Sequence, residues 1–292
     1  MFKKLALATA LLAGLTSTHA YQFEINGGYE NTDFDGEADV DTLFINGKYY
    51  LNGVQVKNAP LAEAAFLAKA SNIGLGYAHA SIDDLEFDLG SFVGTNTFIV
   101  NADLDIDNVG ISGEFYIPNS QFYISGNLNH TEITAKVLGA EESTDNTGYA
   151  LEVGYLPTNG LLLAVGATNE NIDPIQVANY GFTTNFLNAA TLQDDTAVSL
   201  RAKYVTQIGN HFTNFEGLTY FGDETTYRLG ADLYIDPTLS VGVSIADSTA
   251  DDSDTIFGVR AQKFFTPTIA VGVNYTTVDE VDSFGINGTF RF

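Results

Sequence analysis

The chain has 292 residues, no cysteine, no tryptophan, a single methionine and six prolines. Without cysteine there is no disulfide framework and no thiolate metal site. Basic residues are scarce, with 12 Lys and Arg against 37 Asp and Glu, a formal net charge of −25. That balance disfavours nucleic acid, because phosphate contacts need Lys and Arg. Long apolar runs are also missing. The longest, Leu5 to Leu15, falls short of the roughly 20 residues a helical span needs. Beyond residue 20 the histidines are His79, His130 and His211. They form no His/Cys cluster and fall into no Ser, His and acid arrangement on neighbouring strands, and there is no phosphate loop. The sequence thus gives no reason to expect an enzyme, a metal site or a cofactor.

The N-terminus reads as a secretory signal peptide over residues 1–20. Lys3 and Lys4 form the charged region, Leu5 to Leu15 the apolar region, and Thr18-His19-Ala20 a small-residue cleavage site. Cleavage would leave a single domain, 21–292, with a charge of −27 once the two lysines are gone.

What the chain does have is alternation. In Ser283 to Phe292, Phe284, Ile286, Phe290 and Phe292 fall on one face, and Gly285, Asn287, Thr289 and Arg291 on the other. That is a period-two strand. Outer-membrane β-barrels typically end on such a strand, and Phe290 and Phe292 would be the signal read by the barrel-assembly machinery. Five of the six prolines stand in short links between alternating runs, where Pro suits a turn and cannot sit inside a ladder. Acidic segments lie between them: Asp33 to Asp41, both ends of Asp83 to Asp107, Glu141 to Asp145, Asp173 to Asp195, Asp223-Glu224, Asp251 to Asp254 and Asp279 to Asp282. Short turns alternating with longer polar loops are the rhythm of a transmembrane up-and-down antiparallel barrel, with turns in the periplasm and loops outside. The expected all-β fold has 14 strands, with cores at 21–33, 41–51, 71–83, 105–117, 121–134, 148–156, 161–170, 196–205, 211–222, 225–235, 239–248, 255–265, 269–278 and 283–292; 12 or 16 fit less well. An even number puts both termini in the periplasm. Asn58 to Ala70 reads as one short periplasmic helix under the barrel mouth, with Pro60 in its first turn.

The same alternation assigns faces. Leu151, Val153, Leu163, Val165, Val241, Val243, Val271 and Val273 face lipid. Tyr21, Tyr49, Phe122, Tyr155, Tyr204, Phe265 and Phe292 would form the periplasmic aromatic girdle. Twelve charges fall on the inward face: Glu24, Glu30, Lys48, Glu114, Glu152, Arg201, Lys203, Glu216, Arg228, Asp232, Arg260 and Arg291. They are the candidate pore lining. On a barrel of this width they either line a conducting lumen or fill a closed one with ion pairs. An acidic outer rim would enrich cations and, through divalent ions, contact lipopolysaccharide. Asp33-Phe34-Asp35-Gly36 matches a calcium loop too poorly to predict a metal site. Segments Asp84–Leu104 and Asn171–Asp195 are long enough to fold inward and narrow the pore.

Several stretches resemble the small outer-membrane porin family of Acinetobacter and related bacteria. They are Tyr21–Glu24 (YQFE), Pro60–Leu67 (PLAEAAFL), Ala202–Val205 (AKYV), Phe215–Leu218 (FEGL), Leu239–Ser248 (LSVGVSIADS), Phe265–Asn274 (FTPTIAVGVN) and Phe290-Arg291-Phe292. The resemblance implies a monomeric 14-stranded channel in outer-membrane lipid, passing water and small hydrophilic solutes, with no catalytic residues. The function expected is thus a passive diffusion porin with a cation-leaning acidic mouth. A loop-closed structural or adhesive barrel is the alternative.

Overall fold

The structure is a computed structural model that describes residues 20–34, 39–55, 59–91, 97–169, 196–250 and 253–292. The signal segment up to residue 19 and the Asn171–Asp195 segment lie outside the described residues. Fourteen strands follow one another: β1 (Ala20–Phe34), β2 (Asp39–Gln55), β3 (Asn72–Ser91), β4 (Thr97–Tyr116), β5 (Phe122–Val137), β6 (Ala140–Thr158), β7 (Leu161–Asn169), β8 (Ala197–Ile208), β9 (His211–Phe221), β10 (Thr225–Asp236), β11 (Leu239–Ser248), β12 (Ile256–Thr266), β13 (Ile269–Val278) and β14 (Val281–Arg291). Each pairs antiparallel with its neighbours, and β14 pairs with β1, so the barrel is closed. The seam register sets Glu24 opposite Arg291 and Phe34 opposite Val281. Its end is fastened by the terminal residue: Phe292 N donates to Phe23 O, and Phe292 O accepts from Gln22 N and Phe23 N. The Phe23 and Phe292 rings stack with centroids 5.1 Å apart.

Two segments differ from the sequence reading. Asp83–Asp107 is not a loop. Its backbone continues β3 to Ser91 and starts β4 at Thr97, so Asp84–Leu104 is mostly a long hairpin rather than an inward-folding lid. Likewise Glu141, Glu142 and Asp145 belong to β6, which follows β5 after a tight turn at Leu138-Gly139. Both residues of that turn have positive φ. The reason is physical. Asp103, Asp105 and Asp107 alternate with Leu104, Ile106 and Asn108, so the period of two persists; only the outward face has turned acidic. A strand that rises beyond the hydrocarbon needs its ladder but no longer an apolar exterior.

The outside of the barrel is an apolar band. Leu151 (63 % exposed), Leu75 (62 %), Leu43, Val243, Leu163 and Val165 all project outward. Tyr49, Phe122, Tyr155, Tyr204 and Phe265 are exposed near the rim that carries both termini. Tyr21 departs from the expected girdle. A register shift between Tyr21 and Phe23 reverses the parity, so Phe23 points out and Tyr21 is buried against Tyr50 inside.

The helical segment also differs. A 3-10 turn at Leu61–Glu63 runs into a single α-helical turn, α1 (Ala64–Leu67), with Pro60 just before it rather than in its first turn. It does not lie under the mouth. It sits inside the terminal rim: Leu61 packs with Phe264 and Ala270, Ala64 with Tyr21, Tyr50 and Val54, and Phe66 with Tyr123, Leu156 and Leu162. Lys69 stops the helix with a positive φ, while Ala70 N donates to Ala65 O and Lys69 N to Phe66 O. This is the Schellman closure, with Lys where Gly is usual. A short helix has little stability of its own, so these wall contacts hold it.

The outward assignment has a direct test. Leu151→Arg should destabilise the barrel in phospholipid vesicles by about 2–4 kcal/mol, as an Arg at mid-depth on the lipid face does. Ser125→Arg, on the lumen face, should cost far less. Urea titration of the folded fraction, followed by heat-modifiable gel mobility, reads both.

Candidate functional site: the charged lumen

The lumen holds a cavity of about 220 Å³ near the terminal rim, walled by strands and by the helical segment. Ten charged side chains line it: Glu24, Lys48, Glu63, Glu114, Arg201, Lys203, Glu216, Asp232, Arg260 and Arg291. Strand pairing puts opposite signs side by side. Glu24 stands opposite both Lys48 and Arg291, and Lys203 opposite Glu216. Arg291 Nε donates to Glu24 Oε2 at 2.7 Å. Arg201 Nε donates to Glu216 Oε1 at 2.8 Å, and its Nη1 reaches Glu152 Oε1 at 3.4 Å. Arg260 grips Asp232 with two bonds, at 2.8 and 2.9 Å. That last pair bridges across β11, where Asp232, Gly242 and Arg260 share one register row. A Cβ at Gly242 would collide with Asp232 Oδ1, so only Gly lets the two side chains meet.

The helical segment is tied into this belt. Both oxygens of Glu63 are engaged: Tyr234 OH donates to Oε1 at 2.7 Å, and Lys203 Nζ stands 3.0 Å from Oε2. Arg291 Nη1 donates to Leu61 O at 2.9 Å, while Leu61 N donates to Pro237 O at 2.8 Å. The Arg291 guanidinium lies between the rings of Tyr21 and Phe264, 4.6 Å from each centroid. One arginine thus fastens the seam to the segment that occupies the mouth. Burying such a pair carries a desolvation cost that its mutual attraction offsets, and a buried charge that loses its partner is expensive.

Of the twelve charges assigned to the interior from the sequence, nine line the cavity: Glu24, Lys48, Glu114, Arg201, Lys203, Glu216, Asp232, Arg260 and Arg291. Glu152 stands behind it as the second partner of Arg201. Glu30 and Arg228 are buried and belong to other layers; Glu30 Oε2 accepts from Asn274 Nδ2 at 2.9 Å. Sequence reasoning missed Glu63, although an acid within an otherwise apolar helix demands a cation, and Lys203 is that cation. It also missed the polar and aromatic lining of Asn26, Tyr50, Asn214, Tyr234 and Asn287. Among the described residues no group of three or more His, Asp and Glu could hold a metal ion.

Several acids of the far ends are on the outer surface rather than in the mouth. Tyr29, Tyr77 and Tyr275 face outward, and their hydroxyls donate to Asp41, Asp107 and Asp282. Lys136 and Asp105 pair at 2.8 Å, and His79 Nδ1 is 3.0 Å from Asp107 Oδ1. The tyrosines mark an aromatic interface, and the acids stand just beyond it.

Comparison with known proteins agrees with this architecture. The family model described as "Putative general bacterial porin" matches residues 2–292, and the chain belongs to that family. Among solved structures, the outer membrane protein Omp33 of Acinetobacter baumannii is 30% identical, with a TM-score of 0.66 over 94% of this chain and 100% of that one. The CymD monoaromatic hydrocarbon channel (8% identity, TM-score 0.57, 93% and 89% covered) shares the fold. So does the toluene transporter TbuX of Ralstonia pickettii (7%, 0.53, 96% and 91%). No curated protein matches the chain. The chain is therefore an integral outer-membrane barrel of a porin family.

Glu63→Ala should loosen the helical segment and leave the barrel intact. Backbone amides of residues 61–70 should exchange with deuterium at least about tenfold faster, the equivalent of about 1.4 kcal/mol of lost protection, while those of β8 and β10 keep their rates. Unchanged exchange across 61–70 would show that apolar packing alone holds the segment.

Proposed function

We propose that this member of the putative general bacterial porin family is a passive diffusion channel for water, ions and small hydrophilic solutes. The observation that carries the reading is the lumen itself: a closed 14-strand barrel whose cavity is lined by charges of both signs. Eight strands only just fill with side chains, and 14 leave room for water. Opposed acids and bases create a transverse field that orients polar solutes. The twelve inward charges are the proposed lining, with Arg201, Lys203, Glu216, Asp232 and Arg260 around the cavity that the helical segment also walls. The acidic outer rim would favour cations. Because the placed acids stand on its outer side, they act through the local field, which reaches about 8 Å in physiological salt.

The remaining expectations fit one arrangement. Residues 1–20 direct export, both termini face the periplasm, and the assembly machinery reads Phe290 and Phe292. The chain works as a monomer, and its outer acids contact lipopolysaccharide through divalent cations. No step of this function needs an enzyme or a cofactor. The second reading, a closed structural or adhesive barrel, draws its support from the helical segment inside the mouth. In that reading the segment is a plug at the rim opposite the long loops.

Refolded protein in a planar bilayer under a potassium chloride gradient separates the two. A porin gives discrete current steps with a reversal potential on the cation side. Neutralising Arg201, Lys203 and Arg228 together should shift that potential further. A folded barrel that stays silent, and stays silent with residues 59–69 replaced by a short Gly-Ser link, rejects the channel.

A further inference from the structure

Eight of the ten charges lining the cavity are held in ion pairs within 4 Å, and the two that are not stand on the same wall. They are Lys48 on β2 and Glu114 on β4. Lys48 has no ion pair and no hydrogen bond among the described residues. Its direct cross-strand neighbour, Glu24, has turned to Arg291 on its other side and to Asn26, 3.2 Å away. Glu114 accepts from two neutral donors, Asn72 Nδ2 at 2.7 Å and Tyr123 OH at 3.1 Å, and has no cation within 4 Å. Both side chains line the same cavity. β3 runs between them, with Gly74 opposite Lys48 and Asn72 opposite Glu114.

The contrast with the opposite wall is instructive. Across β11, Gly242 lets Asp232 and Arg260 close directly into a two-bond pair. Across β3, Lys48 and Glu114 fall in different register rows and stay apart, both facing the cavity, with Tyr50 and Tyr116 beside them in its lining. An unmatched acid and base side by side are complementary to a solute that carries both charges. Lys48 would take its carboxylate and Glu114 its ammonium, each through charge-assisted hydrogen bonds.

We infer that Lys48 and Glu114 form a binding subsite for zwitterionic solutes of amino-acid or dipeptide size. This deepens the channel reading above and rests on it for its physiological meaning. The subsite gives a passing zwitterion a place to exchange its hydration for protein charges that are not closed into ion pairs.

The test reads binding apart from conduction. Saturation-transfer NMR on the refolded barrel in detergent would follow 4-aminobutyrate, with butyrate, butylammonium and butanamide as controls. The zwitterion should bind about tenfold or more tightly than any control, as one charge-assisted bond gained or lost implies. Lys48→Gln and Glu114→Gln should each abolish the preference. The exchanged variant, Lys48→Glu with Glu114→Lys, should restore it, since the solute can bind reversed; a merely structural role for either residue would give no such rescue. Equal binding of zwitterion and butanamide, or retained preference in both single variants, overturns the subsite. Conductance of the same samples reports on the channel independently. A silent barrel that still prefers the zwitterion keeps the subsite and rejects the channel, and a conducting barrel without preference does the reverse.

Discussion

In hydrocarbon no backbone amide can be left without a partner, and the organisation of this molecule follows from that constraint. A sheet meets it only by closing, so β14 must find β1, and the final residue completes the closure through Phe23. Closure fixes parity: every second side chain is committed to lipid or to lumen. The chain obeys this commitment so consistently that Leu151, Val243 and Leu75 lie outside while Glu24, Lys48 and Arg201 lie inside. Where the wall leaves the hydrocarbon, the ladder continues and only the outward chemistry changes, from apolar residues through tyrosine to aspartate.

The interior solves a second problem. Charges drawn out of bulk water must be paired or strongly solvated. Antiparallel pairing supplies the partners by register, and glycine supplies them across an intervening strand. The helical segment takes part in the same economy: Glu63 closes on Lys203 and Tyr234, and Leu61 O on Arg291. The mouth is therefore narrowed by contacts of the same kind that line the lumen.

Much of this was legible in the sequence because a barrel wall has a period of two and the eye can follow it. The seam strand and the inward parity of all twelve charges come from alternation, and the strand count from alternation together with the proline turns and acidic segments. What was not legible came from tertiary register. Asp103, Asp105 and Asp107 look like loop residues until the ladder is seen to outlast the bilayer. Tyr21 looks like a girdle residue until the register shift beside Phe23 reverses its face. Glu63 is not legible as a lumen charge, because nothing local says that the segment enters the lumen. Parity also cannot tell which inward charges find partners, and that distinction sets Lys48 and Glu114 apart from the rest.

The central claim is that the charged interior is a water-filled path from one side of the membrane to the other. The chain contains no cysteine, so one introduced at the cavity lining is a unique reporter. Ser240→Cys, in the lining, and Leu163→Cys, on the lipid face, would each be studied in a planar bilayer while a charged methanethiosulfonate reagent is added. The account predicts a stepwise, irreversible fall in single-channel current for Ser240→Cys and no change for Leu163→Cys. Current that persists unaltered at Ser240→Cys, with the thiol shown to be modified, would mean that ions do not pass through this lumen.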